Sequence, residues 1–144
     1  MKHVFILLFA LLNFTTSFAQ RDADSLAIVQ TALSYVDGFY NADAARMEKA
    51  LHPMLAKRAF LPTPDGKFRF SDMSAMALVQ STRNATNYLA GRDRKNLQRR
   101  IVVLDIHKNT AVAKAYMEEW IDYMQLAKVE GEWKIVNVLW ELTR

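Results

Sequence analysis

In the first half of the chain, apolar residues recur at helical spacing. In the second half they alternate or run together. Leu26, Val29, Leu33, Val36 and Tyr40 follow Asp24-Ser25 at three- and four-residue steps, the pattern of one helix face, and Ile28, Ala32, Tyr35 and Phe39 widen it. A stripe this broad predicts a helix buried over much of its circumference, with Gly38 weakening its end slightly. Asn41-Ala42-Asp43 breaks the pattern. Asp43 suits the N-cap of a short helix, Ala44 to Leu51, which should stop where Pro53 forces His52 out of helical geometry. Lys57 to Leu61 and Lys67 to Phe70 flank Pro64-Asp65-Gly66, so a hairpin is expected there. Ser71-Asp72 reads as the cap of a third helix with Met73, Met76 and Ala77 turned inward, resuming at Ala85 and Leu89 and ending at Gly91.

From Leu97 the pattern is that of a meander of three long strands. Leu97 to His107 is the first, with a turn at His107-Lys108-Asn109-Thr110. Ala111 to Val129 is too long for one flat strand, which predicts a bend or bulge near Trp120. Glu130-Gly131 turns the chain into a last strand, Glu132 to Leu142. Simple alternation there puts Trp133, Ile135, Asn137, Leu139 and Glu141 on one face, and Lys134, Val136, Val138, Trp140 and Leu142 on the other. Both faces are mostly apolar, whereas a sheet with one side in water alternates cleanly. Helices are therefore expected on one face and a second copy of the chain on the other. Trp133 and Asn137 would line a cavity, and Val138 and Trp140 would meet the partner.

This order of elements resembles the nuclear-transport-factor-2-like (SnoaL-like) superfamily, and within it the chain is most similar to the putative lumazine-binding proteins. The residues that carry the likeness are Tyr35-Val36-Asp37-Gly38-Phe39-Tyr40, Asp43 with Met47, Ala50-Leu51-His52-Pro53, Asp122-Tyr123 and Lys128 to Val138. The resemblance implies an α+β cone, three N-terminal helices packed on a strongly curved, mixed and largely antiparallel sheet. Folds of this kind host isomerases, cyclases, dehydratases, binding modules and dimerising accessory domains, so the fold alone does not choose among them.

The ends and the composition narrow the setting. Lys2-His3 followed by the unbroken apolar run Val4 to Leu12, with Ser17-Phe18-Ala19 before Gln20, has the form of a signal peptide. Residues 1–19 are expected to be cleaved during export, leaving 20–144 as a single domain in the periplasm or outside the cell. The run is too short to span a bilayer, so membrane contact is expected only through that segment during export. The chain has no cysteine, which excludes disulfides, thiolate metal sites and cysteine nucleophiles. Nineteen Lys and Arg against 15 Asp and Glu give a mild excess. Its densest cluster, Arg92, Arg94, Lys95, Arg99 and Arg100, has no interleaved aromatics, so nucleic acid is not an expected partner.

The candidate chemistry is sparse. Neither His52 nor His107 has a second ligand at a metal spacing, and no metal or cofactor is expected; Asp105 with His107 suits a strand end at a turn. His52 either points into the pocket as a donor or satisfies a backbone carbonyl. Acid–base chemistry in a pocket needs a shielded carboxylate and a donor for a developing oxyanion. Asp122 or Glu118 could be the base, and Tyr40 or Tyr116 the donor. Tyr116, Glu118, Trp120 and Asp122 share a face if no bulge intervenes. The expected ligand-binding residues are Tyr40, His52, Tyr116, Trp120, Trp133 and Asn137, around a small apolar or aromatic ligand. The reading favoured is an exported, non-catalytic small-molecule-binding or accessory domain that forms a homodimer. A cofactor-free isomerase or dehydratase using Asp122 and Tyr40, and a purely structural dimerisation module, are the alternatives.

Overall fold

A computed structural model describes residues 2–85, 93 and 95–143, with side chains from Gln20 onward. Three helices, α1 (Lys2–Tyr40), α2 (Ala44–Ala50) and α3 (Ala75–Arg83), combine with six strands: β1 (Leu51–Pro62), β2 (Phe68–Ser74), β3 (Arg100–His107), β4 (Thr110–Tyr116), β5 (Trp120–Val129) and β6 (Glu132–Leu142). The strands form one sheet in the order β2-β1-β6-β5-β4-β3. Only β1 and β6 run parallel; every other neighbouring pair is antiparallel. Among the described residues, no helix is long and apolar enough to cross a membrane.

The helix α1 packs against α2, β3, β4 and β6. Its buried residues are Ile28, Ala32, Tyr35, Val36 and Tyr40, while Leu26 is exposed, so the inward face is rotated from the stripe expected through Leu26. Asp24 does not cap the helix, which continues past it toward the N-terminus. Ala111, Ala113 and Ala115 of β4 all face the core, and their small side chains leave room for the helix. At Gly38 a Cβ would stand 2.9 Å from the Met47 amide nitrogen, so this glycine admits α2 rather than merely weakening α1. Asp43 caps α2 as expected, accepting a hydrogen bond from the Arg46 amide at 3.0 Å.

Three sequence expectations change. The hairpin runs further than its turn suggested: β2 continues through Ser71, Asp72 and Met73, because Phe70 pairs with Phe60 and Asp72 with Arg58. Ser74, not Ser71-Asp72, caps α3 by accepting from Ala77, and the buried residues are Ala75, Leu78 and Thr82, with Met76 out in solvent. The Ala85 to Gly91 continuation fails at its start, since α3 ends at Arg83; Leu89 and Gly91 lie outside the described residues.

The second change is that 111–129 is not one bent strand but two, β4 and β5, paired antiparallel. Their turn at Met117-Glu118-Glu119 has no glycine, proline or asparagine. Met117 N–H donates to the Trp120 carbonyl at 3.0 Å within it, and contacts from elsewhere hold it: Glu118 N–H donates to the Tyr40 hydroxyl at 2.8 Å, and Thr143 N–H to the Glu119 carbonyl at 2.9 Å.

The third is a bulge in β6. Asn137 pairs with Gln125 and Ile135 with Leu126, leaving Val136 as an extra residue. Alternation reverses across it. Trp133 and Ile135 point inward before the bulge, and Val138 and Trp140 after it. Asn137, Leu139 and Glu141 therefore face outward. The expected division, Trp133 with Asn137 inside and Val138 with Trp140 outside, does not hold.

Candidate functional site

Helix α1 presents Tyr35 and Phe39 one turn apart over the sheet. Strand alternation on β1 brings Leu55, Lys57 and Ala59 to the inner face. Lys57 pairs with Val138, and Ala59 with Trp140, which on its other side pairs with Asp122 of β5. Lys57 therefore reaches across β6 toward Asp122. Between these strands, α1 and α3 lies a cavity of about 250 Å³, lined by Tyr35, Phe39, Lys57, Met73, Leu78, Ser81, Met117, Trp120 and Trp140.

The floor of this cleft is polar and buried. Asp122 is fully buried and Lys57 is only 7% exposed. The Lys57 ammonium donates to the Tyr35 hydroxyl and stands 3.6 Å from Asp122 Oδ2. It also lies 5.1 Å from the ring centroids of both Tyr35 and Trp140, within cation–π range. Neither Asp122 oxygen receives a hydrogen bond of good geometry. Burial pulls the Lys57 pKa below the ordinary lysine value, opposed by the Asp122 charge. Burial, followed by that same charge, pushes the Tyr35 hydroxyl well above its ordinary value, so it remains protonated at working pH.

The walls are aromatic. Trp120 meets Phe39 edge-on at 5.5 Å and lies 6.0 Å from Trp140. Its indole N–H points at Met117 Sδ, 3.0 Å away. Flat apolar walls over a small number of polar groups are the usual make-up of a small-molecule pocket.

The other expected site residues fall elsewhere. Tyr40 is a structural clamp: its hydroxyl donates to the Gln98 carbonyl at 2.9 Å and accepts from Glu118 N–H, and burial pushes its pKa up to about 12. Tyr116 sits on the outer face, sandwiched between Arg100 and Lys114, so the proposed Tyr116–Asp122 face does not exist. Glu118 accepts from Gln98 N–H at the surface. Asn137 donates across the outer face to Gln125 Oε1 at 2.9 Å. His52 accepts from Met54 N–H at 3.2 Å and borders a depression between α2, β1 and α3, outside the cleft. Trp133 is buried, and its indole N–H donates to Asp24 Oδ1 at 3.0 Å. It borders a larger depression of about 540 Å³ along the middle of α1, where Asp24, Lys49, Lys128, Glu132 and Lys134 stand among apolar surface. Among the described residues, no three His, Asp or Glu converge as a metal site would require.

Of the expected residues the cleft holds Trp120 in its wall and Asp122 beneath its floor. Tyr35 and Lys57 were missed as site residues. The one available signal for Lys57 was its position between Leu55 and Ala59 in an alternating strand, where a solvated lysine would belong to the other set.

The fold recurs among solved structures. An NTF2-like protein with a cystatin-like fold from Novosphingobium aromaticivorans aligns at a TM-score of 0.69 and 11% identity, over 92% of this chain and 90% of that one. An NTF2-like protein of unknown function from Shewanella baltica aligns at 0.60 and 18%, covering 85% of this chain and 95% of the other. A ketosteroid isomerase-like protein from Erwinia carotovora atroseptica aligns at 0.56 and 13%, covering 83% and 95%. At these identities the likeness is one of fold, and the fold is nuclear-transport-factor-2-like. No curated protein matches the chain. Residues 23–141 match a family profile, and on that match the chain belongs to the family described as "Putative lumazine-binding".

Proposed function

We propose that the protein is an exported small-molecule-binding domain without catalytic activity, and that its ligand occupies the aromatic cleft between α1, α3 and the β1-β6-β5 part of the sheet. The observation that carries this reading is a cavity of about 250 Å³ walled by Phe39, Trp120 and Trp140 with an incompletely hydrogen-bonded Lys57 at its floor. Native mass spectrometry of the protein purified from its host tests it. A single co-purified small molecule, lost in Trp140→Ala, is the expected result. A ligand-free spectrum together with no binding from an aromatic fragment library would end the proposal.

Export rests on the signal-peptide form of residues 1–19, and the secreted protein should begin at Gln20 by N-terminal sequencing. Dimerisation through the sheet rests on its outer face, with the residues corrected for the bulge. Phe60, Phe68, Phe70, Tyr123 and Leu139 are all exposed there, and Phe60 stacks on Phe68 at 4.7 Å between centroids. Phe70→Glu should then turn a dimer into a monomer by light scattering. A wild-type monomer at micromolar concentration would sink the dimer.

One observation favours the enzyme alternative, a cofactor-free isomerase or dehydratase: a buried Asp122 carboxylate beside a neutral Tyr35 hydroxyl. Against it, Lys57 stands between Asp122 and the cavity. Asp122→Asn decides this, since a turnover that survives the substitution cannot use that base.

A further inference from the structure

We infer that Lys57 sets the specificity of the cleft, and that the ligand is an uncharged aromatic carbonyl compound whose oxygen accepts a hydrogen bond from the Lys57 ammonium. The inference rests on the cleft being a ligand site and names what the site selects.

An ammonium group has three N–H donors. One is taken by the Tyr35 hydroxyl. The Asp122 carboxylate is near enough to balance the charge but accepts no well-formed hydrogen bond. Lys57 thus retains donor capacity where water is largely excluded, and it borders the cavity whereas Asp122 does not. A buried ion pair is rarely more stabilising than an apolar filling of the same volume, so stability alone is a weak reason for this one. Where a lysine and an aspartate join α1 to the sheet, the geometry is tighter: Lys128 Nζ stands 2.6 Å from Asp24 Oδ1, with two further donors on the same carboxylate.

The charge state of the ligand follows from the pair. Asp122 already balances Lys57, so an anionic ligand would add an unbalanced buried charge, and a cationic one would meet the ammonium directly. An uncharged carbonyl oxygen gains a charge-assisted hydrogen bond with neither penalty. The walls specify the rest of the molecule. Three aromatic rings and the thioethers of Met73 and Met117 favour a flat, polarisable ring.

Four probes of matched shape test this: acetophenone, ethylbenzene, benzoate and benzylammonium, titrated by NMR into wild-type protein, Lys57→Met and Lys57→Met/Asp122→Asn. The double variant removes both charges, so it keeps the test informative if Lys57→Met alone fails to fold. In wild type, acetophenone should bind about tenfold or more tightly than ethylbenzene, and more tightly than either ion. In the lysine variants the ratio of acetophenone to ethylbenzene affinity should fall to about one while ethylbenzene still binds. Equal wild-type affinities, a preference for benzoate, or a preference that survives loss of Lys57 would overturn the inference and leave the cleft standing as a binding site. Failure of both acetophenone and ethylbenzene to bind would overturn the cleft reading, and this inference with it.

Discussion

Two lysine–aspartate pairs lie beneath the helices of this protein, and they are built differently. Midway along α1, Asp24 accepts from Lys128 at 2.6 Å, Trp133 at 3.0 Å and Gln20 at 3.1 Å. At the cleft, Asp122 faces Lys57 at 3.6 Å and accepts no good hydrogen bond. In the first pair the carboxylate accepts three hydrogen bonds and ties α1 to β5 and β6. The second leaves polar capacity unused beside a cavity. Buried polar groups that only hold a fold together are normally satisfied, so an unsatisfied pair next to a cavity is where a ligand is expected.

The largest effect should come from breaking the cleft pair on one side only. Lys57→Met leaves the Asp122 charge buried without a partner and should lower stability by about 3–5 kcal/mol, measured by urea unfolding. Lys57→Met/Asp122→Leu should recover most of that loss, because an apolar filling replaces the whole pair. If the double variant were as unstable as the single one, the pair would be structural in the manner of Asp24–Lys128.

The Asp24 pair should show itself through pH. Hydrogen bonding from Lys128 first, then Gln20 and Trp133, holds the Asp24 carboxyl at about 2, below its ordinary 3.8. A depressed folded-state pKa stabilises the fold above the ordinary value, and that stabilisation fades as pH falls from about 4 through about 2. Solvent screening at this open rim holds it to about 1 kcal/mol. Asp24→Asn should be less stable than wild type at neutral pH and should lose less on acidification. Parallel pH–stability curves for the two proteins would remove Asp24 from the account.

Smaller effects separate clamp from cleft. Tyr40→Phe deletes one donor and one acceptor at the β4–β5 turn and should cost about 1–2 kcal/mol, without changing fragment affinity. Asn137→Ala, on the outer face, should stay within about 0.5 kcal/mol in stability and also leave binding alone. A large loss of affinity in either variant would move the site away from Lys57.

Parts of the first half of the fold were legible where the signals are local. The Asp43 cap, the Pro-Asp-Gly turn and the stripe on α1 each depend on neighbours within a few residues. The site was harder to see because non-local contacts position it. The bulge at Val136 is a one-residue event whose one sequence mark is the polar Asn137 beside it, an amide that could fix a bulge or address a ligand, and it exchanged the faces of Asn137, Val138 and Trp140. The β4–β5 turn is held by Tyr40 from the far end of α1, so the chain around Met117 reads as continuous strand. Lys57 reads as a surface residue until β6 and β5 are known to bring Trp140 and Asp122 beside it. Trp120 was expected on a face shared with Tyr116, Glu118 and Asp122; it does line the cleft, but of those three only Asp122 stays on its side of the sheet.

Three tryptophans divide between the two regions, two in the cleft wall and one held by Asp24. That division provides the most direct test of the account, through the three indole N–H signals in a ¹H–¹⁵N correlation spectrum during titration with ethylbenzene. Occupation of the cleft predicts saturable shifts at Trp120 and Trp140 with Trp133 unmoved. Shifts confined to Trp133, or to the outer-face backbone around Tyr116 and Asn137, would contradict it.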